Sequence, residues 1–153
     1  MADSQAPRVR TSRTPAQRLG DAAETQVAEQ LTASGWTVLG RNLRFGRNEV
    51  DILAVDPGPP PALVVVEVRW RASRAYGIGE ETFDWRKRGH LRAAVGRLHE
   101  MSALPDGTAL PRLPIRIDLV IVEPGERDGP LRMRHHRDAL ASLGCHRALT
   151  RWS

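Results

Sequence analysis

Residues 48–69 read NEVDILAVDPGPPPALVVVEVR. Two apolar runs flank a loop of proline and glycine. Glu49 to Val55 and Ala62 to Arg69 are rich in β-branched residues and have the length of strands. Asp56-Pro57-Gly58-Pro59-Pro60-Pro61 ends the first run, because proline brings no amide donor to a ladder. So short a connection predicts that the two strands pair. Residues two apart on a strand point the same way. Glu49 and Asp51 therefore share one face of the first strand. Glu67 and Arg69 share one face of the second and continue the row of Leu63 and Val65. An apolar face thus turns charged at the end of a valine-rich strand, where an unpartnered charge is costly to bury. With the strands paired, Asp51 lies close to Glu67. Two converging carboxylates can hold a divalent cation, and magnesium prefers such hard oxygen ligands. The same spacing suits ion pairs of Glu67 and Arg69 with Arg44, Arg47, Asp51 or each other, and taken alone it favours ion pairing.

Upstream, Thr14-Pro15-Ala16-Gln17 reads as a helix start: Thr14 as N-cap, Pro15 at the first helical position, Gln17 completing a capping box. Leu19, Ala23, Val27 and Leu31 recur every four residues as its buried stripe, and Gly35 stops the helix. A first strand follows from Trp36 to Leu39, running on toward Leu43. Downstream of Arg69, a polar, glycine-bearing loop reaches Thr82. Leu91, Ala94, Val95, Leu98 and Met101 then mark an amphipathic helix. Ile115 to Val122 is a further strand, Leu131 to His135 a short edge strand, and Asp138 to Leu149 a terminal helix. Residues 1–13 read as a flexible basic arm, 14–140 as one folded domain and 141–153 as a C-terminal helix or tail. The order helix, three strands, helix, strand predicts an α/β domain with a mixed sheet.

The chain has 153 residues, 41% of them hydrophobic, enough for one core. No apolar run is long enough to span a membrane, and no apolar segment follows the N-terminal arginines as in a signal peptide. A single cysteine, Cys145, forms no internal disulfide, which points to a reducing cytoplasm. The net charge of +5 points to a polyanionic partner. Arg69, Arg71, Arg74, Arg86, Lys87, Arg88, Arg92 and Arg97 against Glu80, Glu81 and Asp84 concentrate that whole excess in one stretch. It reads either as a solvated helix face or as a phosphate-contacting surface. Lys87 is the only lysine among the 23 basic residues, a bias toward arginine that runs through the whole chain.

The segments Gly20-Asp21-Ala22-Ala23-Glu24, Arg41-Asn42, Asn48-Glu49-Val50-Asp51-Ile52, Val66-Glu67-Val68-Arg69, Tyr76-Gly77, the Lys87 region and Arg116-Ile117-Asp118-Leu119-Val120 occur in that order. Together they resemble the motifs of the bacterial YraN family, over about residues 15–140. That family is uncharacterised in function and is similar to archaeal Holliday-junction resolvases. The resemblance implies the restriction-endonuclease-like fold of the PD-(D/E)xK nucleases, an αβββαβ core with a mixed central sheet. It also implies roles by position. Asp51 and Glu67 would bind magnesium or manganese, with the Val68 carbonyl as a third ligand. Glu24 would be the acidic residue of the first helix, and Glu49 would support the metal or a basic residue.

Two positions depart from the family pattern. Asn48 stands where glycine is usual, and asparagine also tolerates positive φ. Arg69 stands where the catalytic lysine belongs. Arginine stays charged and cannot act as a base, though its guanidinium fork can hold a phosphate. Lys87 could reach in from the next helix, but phosphate contact is the favoured reading for it.

Adjacent His135 and His136 face opposite ways on a strand and make a poor metal pair; a solvated edge suits them better. Trp70 and Trp85 fit core packing better than base stacking. Asp118 fits a structural ion pair or a role behind the site. Three functions remain open. The first is a metal-dependent endonuclease of DNA, branched DNA included, acting as a monomer or homodimer. It would use Glu24, Asp51, Glu67 and Arg69 for catalysis and Arg69, Arg71, Arg86, Lys87, Arg88 and Arg92 for nucleic-acid binding. The second is a DNA-binding module that has lost hydrolysis, and the third a protein-interaction domain.

Overall fold

The computed structural model describes residues 13–72 and 85–140. Its elements run α1 (Pro15–Ala33), β1 (Thr37–Phe45), β2 (Asn48–Asp56), β3 (Ala62–Trp70), α2 (Trp85–Glu100), β4 (Ile115–Glu123) and β5 (Arg132–His136). The core order is the expected αβββαβ. The five strands form one sheet in the order β1-β2-β3-β4-β5. β1, β2 and β3 are successive antiparallel partners, β3 and β4 pair in parallel across the α2 crossover, and β5 returns antiparallel as an edge. The sheet is therefore mixed.

α1 begins as its sequence predicts. The Thr14 side chain accepts from the Gln17 amide, and the Gln17 side chain accepts from the Thr14 amide. A cap of this kind contributes about 1 kcal/mol. At the other end the Trp36 amide donates to the Leu31 carbonyl and the Gly35 amide to Thr32. This closure requires a left-handed residue, and Gly35 supplies it with φ 89°. Leu19 does not join the stripe: it is 46% exposed. Pro15 to Leu19 are all exposed, and burial starts at Ala23, so the first helical turns extend past the sheet.

The sheet separates two cores. On one side Ala23, Val27 and Leu31 of α1 pack on Ile52, Ala54, Val64, Val66, Val120 and Val122. On the other, Leu91, Ala94 and Leu98 of α2 pack with Leu53, Leu63, Val65, Leu119 and Ile121. β3 is buried on both faces, which is why its sequence is an unbroken apolar run rather than an alternating one. Trp70 packs against the α1-side core.

Two local expectations are corrected. The β1–β2 turn takes its positive φ at Gly46 (66°), while Asn48 is already a strand residue paired with Phe45. Asp138 has φ 52° and lies in a turn, so no helix starts there. The remainder of the expected terminal helix, the tail 141–153, the arm up to residue 12, Tyr76-Gly77 and Arg74 lie outside the described residues.

Candidate metal and phosphate site

The β2–β3 ladder ends at Ile52↔Val66. At the next position Asp51 replaces the ladder with its side chain: Oδ2 accepts from the Val68 amide at 2.8 Å. β2 also bends here. Val50 lies in the α2-side core and Ile52, only two residues on, in the α1-side core. Strict alternation fails at the bend, and Glu49 is exposed, opposite Arg44 in the β1 ladder. A residue in an extended strand sends its carbonyl to the same edge as its amide. The Val68 carbonyl therefore leaves β3 toward Asp51.

Glu67 continues the row of Leu63 and Val65, as its spacing predicts, and is 4% exposed. Burial pushes its carboxyl up to about 8; the negative charge of Asp51 adds to the rise and Lys87 opposes it. Asp51 and Glu67 meet acceptor to acceptor. Among the described residues no donor lies beside the buried Glu67 Oε2, while Oε1 meets both Arg69 and Lys87. Arg69 Nε stands 3.6 Å from Oε1 and Lys87 Nζ 3.2 Å from it. Two carboxylates without a proton between them repel; a shared proton or a cation removes that cost.

The position of Lys87 follows from helix periodicity. Lys87, Leu91, Ala94 and Leu98 lie four, three and four residues apart, so the lysine continues the buried stripe of α2 beyond its apolar part. That spacing is present in the sequence, and it is the signal that would have turned Lys87 toward the sheet. Lys87 thus does reach in from the next helix, with its ammonium on the buried acid. Arg86 and Arg92 are exposed on α2, Arg88 is half-buried there, and Arg71 continues from β3 with its amide on the Val122 carbonyl.

Glu24 reaches the site from α1. Burial first, then the charge of Asp51, pushes its carboxyl up to about 7, against the pull of Arg41 4.0 Å away. Its Oε2 is also buried, with no hydrogen-bond partner among the described residues. Among the described residues no three His, Cys, Asp or Glu side chains converge closely enough to enclose a metal. The protein thus offers two carboxylates and one carbonyl. This fits magnesium, which takes one or two carboxylates and keeps several waters. The buried, donorless Glu67 Oε2 is the feature that such a cation would satisfy.

A second charged cluster occupies the α1 side of β4, near the start of the strand. Asp118, fully buried, accepts from Arg116 Nε at 2.8 Å and the Asp138 amide at 3.0 Å, and shares a 2.8 Å bond with His135 Nε2. Arg116 also reaches Asp56 at 2.8 Å. Burial alone would raise the Asp118 carboxyl, but the bonds from His135, Arg116 and Asp138 outweigh it and hold it below its ordinary value. This confirms Asp118 as a structural ion-pair centre. His135 is on the edge strand as expected, yet it is bonded rather than solvated.

No helix among the described residues is long and apolar enough to cross a membrane. The solved structure of SfsA from Pyrococcus furiosus in complex with Ca2+ shares 15% identity and a TM-score of 0.38 over 80% of this chain and 63% of that one, too distant a likeness to carry an argument. A UPF0102 protein of Symbiobacterium thermophilum is 42% identical over 118 residues, 76% of this chain and 91% of the relative. One from Chlorobaculum parvum is 39% identical over 73% of this chain and 80% of its own length. One from Roseiflexus castenholzii is 36% identical over 77% and 89%. A model of the family matches residues 23–122, which hold Glu24, Asp51, Glu67, Arg69 and Lys87. The chain therefore belongs to the uncharacterised protein family UPF0102, the YraN family that its motifs imply.

Proposed function

We propose that this protein is a magnesium- or manganese-dependent endonuclease of DNA, with branched duplexes as the first substrates to test. The observation that carries this reading is Glu67: a carboxyl group buried at a strand end beside Asp51, with one oxygen unpartnered among the described residues and the other held by Lys87. Such a buried acid is weak evidence of a stabilising role, because a well-packed apolar residue in its place is often as stable or more so. Asp51, Glu67 and the Val68 carbonyl would hold the cation, and Glu24 would stand behind them. A divalent ion supplies Lewis-acid polarisation of a phosphoryl oxygen and a more acidic bound water. Arg69 and Lys87 bind and orient the phosphate. Their two cations on one glutamate oxygen answer the missing lysine of the E-x-K pair: a lysine is present at the acid, delivered by α2 instead of by the next residue but one on β3. Arg71, Arg86, Arg88 and Arg92 extend the phosphate contacts. The lone Cys145 accords with a reducing cytoplasm, and a homodimer accords with the resemblance to resolvases.

The test pairs cleavage with metal binding. Wild-type protein is incubated with labelled linear and four-way-junction DNA in magnesium or manganese, and metal affinity is measured separately by calorimetry. Cleavage lost in both Asp51→Asn and Glu67→Gln, together with weakened metal binding, supports the reading. The rival, a DNA-binding module without hydrolysis, rests on Arg69. It predicts salt-sensitive DNA binding with no cleavage by wild type; gain of cleavage in Arg69→Lys would mean that the site is intact apart from that residue. Absence of both metal and DNA binding would overturn the nuclease reading.

A further inference from the structure

The break in alternation at Asp51 has a counterpart across the ladder. Arg41 pairs with Ile52, and Leu43 with Val50. The first pair points to the α1 side: Arg41 donates to Thr25 Oγ1 at 3.1 Å, and Ile52 lies in that core. The second pair packs into the α2-side core. Residues two apart on a regular strand share a face, so both strands change face between these pairs. Asn42 and Asp51 stand in between, at one level of the β1–β2 ribbon. β1 folds back on itself here: a Cβ on Gly40 would lie 3.0 Å from the Leu43 side chain.

The backbone shows which residue makes the turn. From Gly40↔Leu53 to Phe45↔Asn48 the register keeps one residue against one, so the change of face needs no inserted residue. Among the described strands only Asn42 has a positive φ, 49°. The left-handed region crowds the Cβ of an L-residue; asparagine enters it more readily than most, and β-branched residues least. No residue of β2 has a positive φ, so the ladder passes the turn from Asn42 to Asp51. Beyond that turn Asp51 Oδ2 takes the Val68 amide at 2.8 Å, where a ladder bond would otherwise lie.

We infer that Asn42 is a positioning residue of the cation site: its left-handed backbone turns the β1–β2 ribbon and so sets the Asp51 carboxylate on the Val68 amide, beside Glu67. This rests on the metal-site reading above and deepens it. Irregular edge strands also serve to prevent pairing with another chain. In β1 the register shift between Val38 and Gly40 already supplies such an irregularity, and that role does not call for a second break at the level of Asp51.

The experiment follows hydrogen exchange of the Val68 amide by NMR in full-length protein with chelator, and measures magnesium and manganese affinity separately by calorimetry. D51A gives the exchange rate of a Val68 amide without its acceptor. The variants are N42G, N42A and N42V. Glycine keeps the left-handed conformation and removes the side chain, while alanine disfavours that conformation and valine more so. N42G is expected to match wild type in both measurements. N42V should bring Val68 exchange to the D51A rate and weaken metal binding about ten- to a hundredfold, the usual effect of losing a ligand's support. N42A should fall between them, and it keeps the measurement decisive if N42V does not fold. T14A, which removes the α1 cap, should leave both readouts unchanged. Wild-type exchange at Val68 in N42A and N42V overturns the inference. Loss in N42G equal to that in N42A also overturns it, since the Asn42 amide, within hydrogen-bonding reach of Glu24, would then be the cause. So does equal loss in T14A, which would mark general destabilisation. Failure of wild type to bind either metal overturns the metal-site reading, while Val68 exchange, read without metal, still decides the role of Asn42.

Discussion

Replacing Glu67 by glutamine should stabilise the metal-free protein while removing its proposed activity. The magnitude follows from proton linkage. In the folded state the Glu67 carboxyl titrates at about 8, against 4.5 for the ordinary group. A folded value above the unfolded one means that ionisation opposes folding. The penalty is absent below about pH 4.5, grows as pH rises and levels off above about 8. At pH 7 the unfolded chain has long released this proton and the folded chain still holds most of it. The difference is on the order of 3 kcal/mol, rising from under 1 near pH 5. Glutamine keeps the shape and an acceptor for Lys87 but has no proton to lose. Urea unfolding in chelator, from pH 4.5 to 8.5, should therefore show E67Q gaining over wild type steadily across that range. Added magnesium should narrow the gap by stabilising wild type only, because ligands bind the folded form by mass action. Parallel pH profiles for the two proteins would refute the reasoning, since Glu67 would then ionise as easily folded as unfolded.

The second cluster predicts the opposite sign. Asp118→Asn leaves Arg116 and His135 without their buried acceptor and should cost about 3–5 kcal/mol in urea unfolding at pH 7. Because the Asp118 carboxyl is held below its ordinary value, the stability it contributes is present above pH 3.8 and is lost as pH falls through the folded value, so the wild-type advantage over the asparagine variant should shrink in acid. The apolar positions divide by burial: Leu91→Ala, at 0% exposure, should lower stability by about 2–5 kcal/mol, and Leu19→Ala, at 46%, by no more than about 0.5 on the same assay.

Much of the fold could be read directly because it is local. The capping box at Thr14 and Gln17 and the glycine stop at Gly35 involve neighbours in the chain, and each appears where the sequence puts it. The valine run of β3 announces a strand buried on both faces, and it is the central strand of the sheet. Leu19 misled because periodicity reports which residues share a stripe, not how far the facing sheet extends. Asn48 misled because a glycine earlier in the same turn, Gly46, had already taken the positive φ. Of the site, the pairing of Glu67 with Arg69 was legible from two-residue spacing, and the nearness of Asp51 from the short loop. The place of Lys87 was present in the helical spacing with Leu91 but was hidden by two arginine neighbours of the same charge.

The acidic end of the valine strand was determined by sequence alone: hydrophobic alternation carries Glu67 and Arg69 to one face of β3, and the loop of prolines returns β3 to β2. What only the tertiary structure decided is which oxygens those residues offer. The bend that turns Asp51 onto the Val68 amide and the α2 crossover that sets Lys87 on Glu67 both depend on contacts between elements. A strand's pattern specifies its faces because side-chain direction is a property of the local backbone. It does not specify the neighbour across the sheet, because that is settled by packing the whole core, whose partners are distant in the chain.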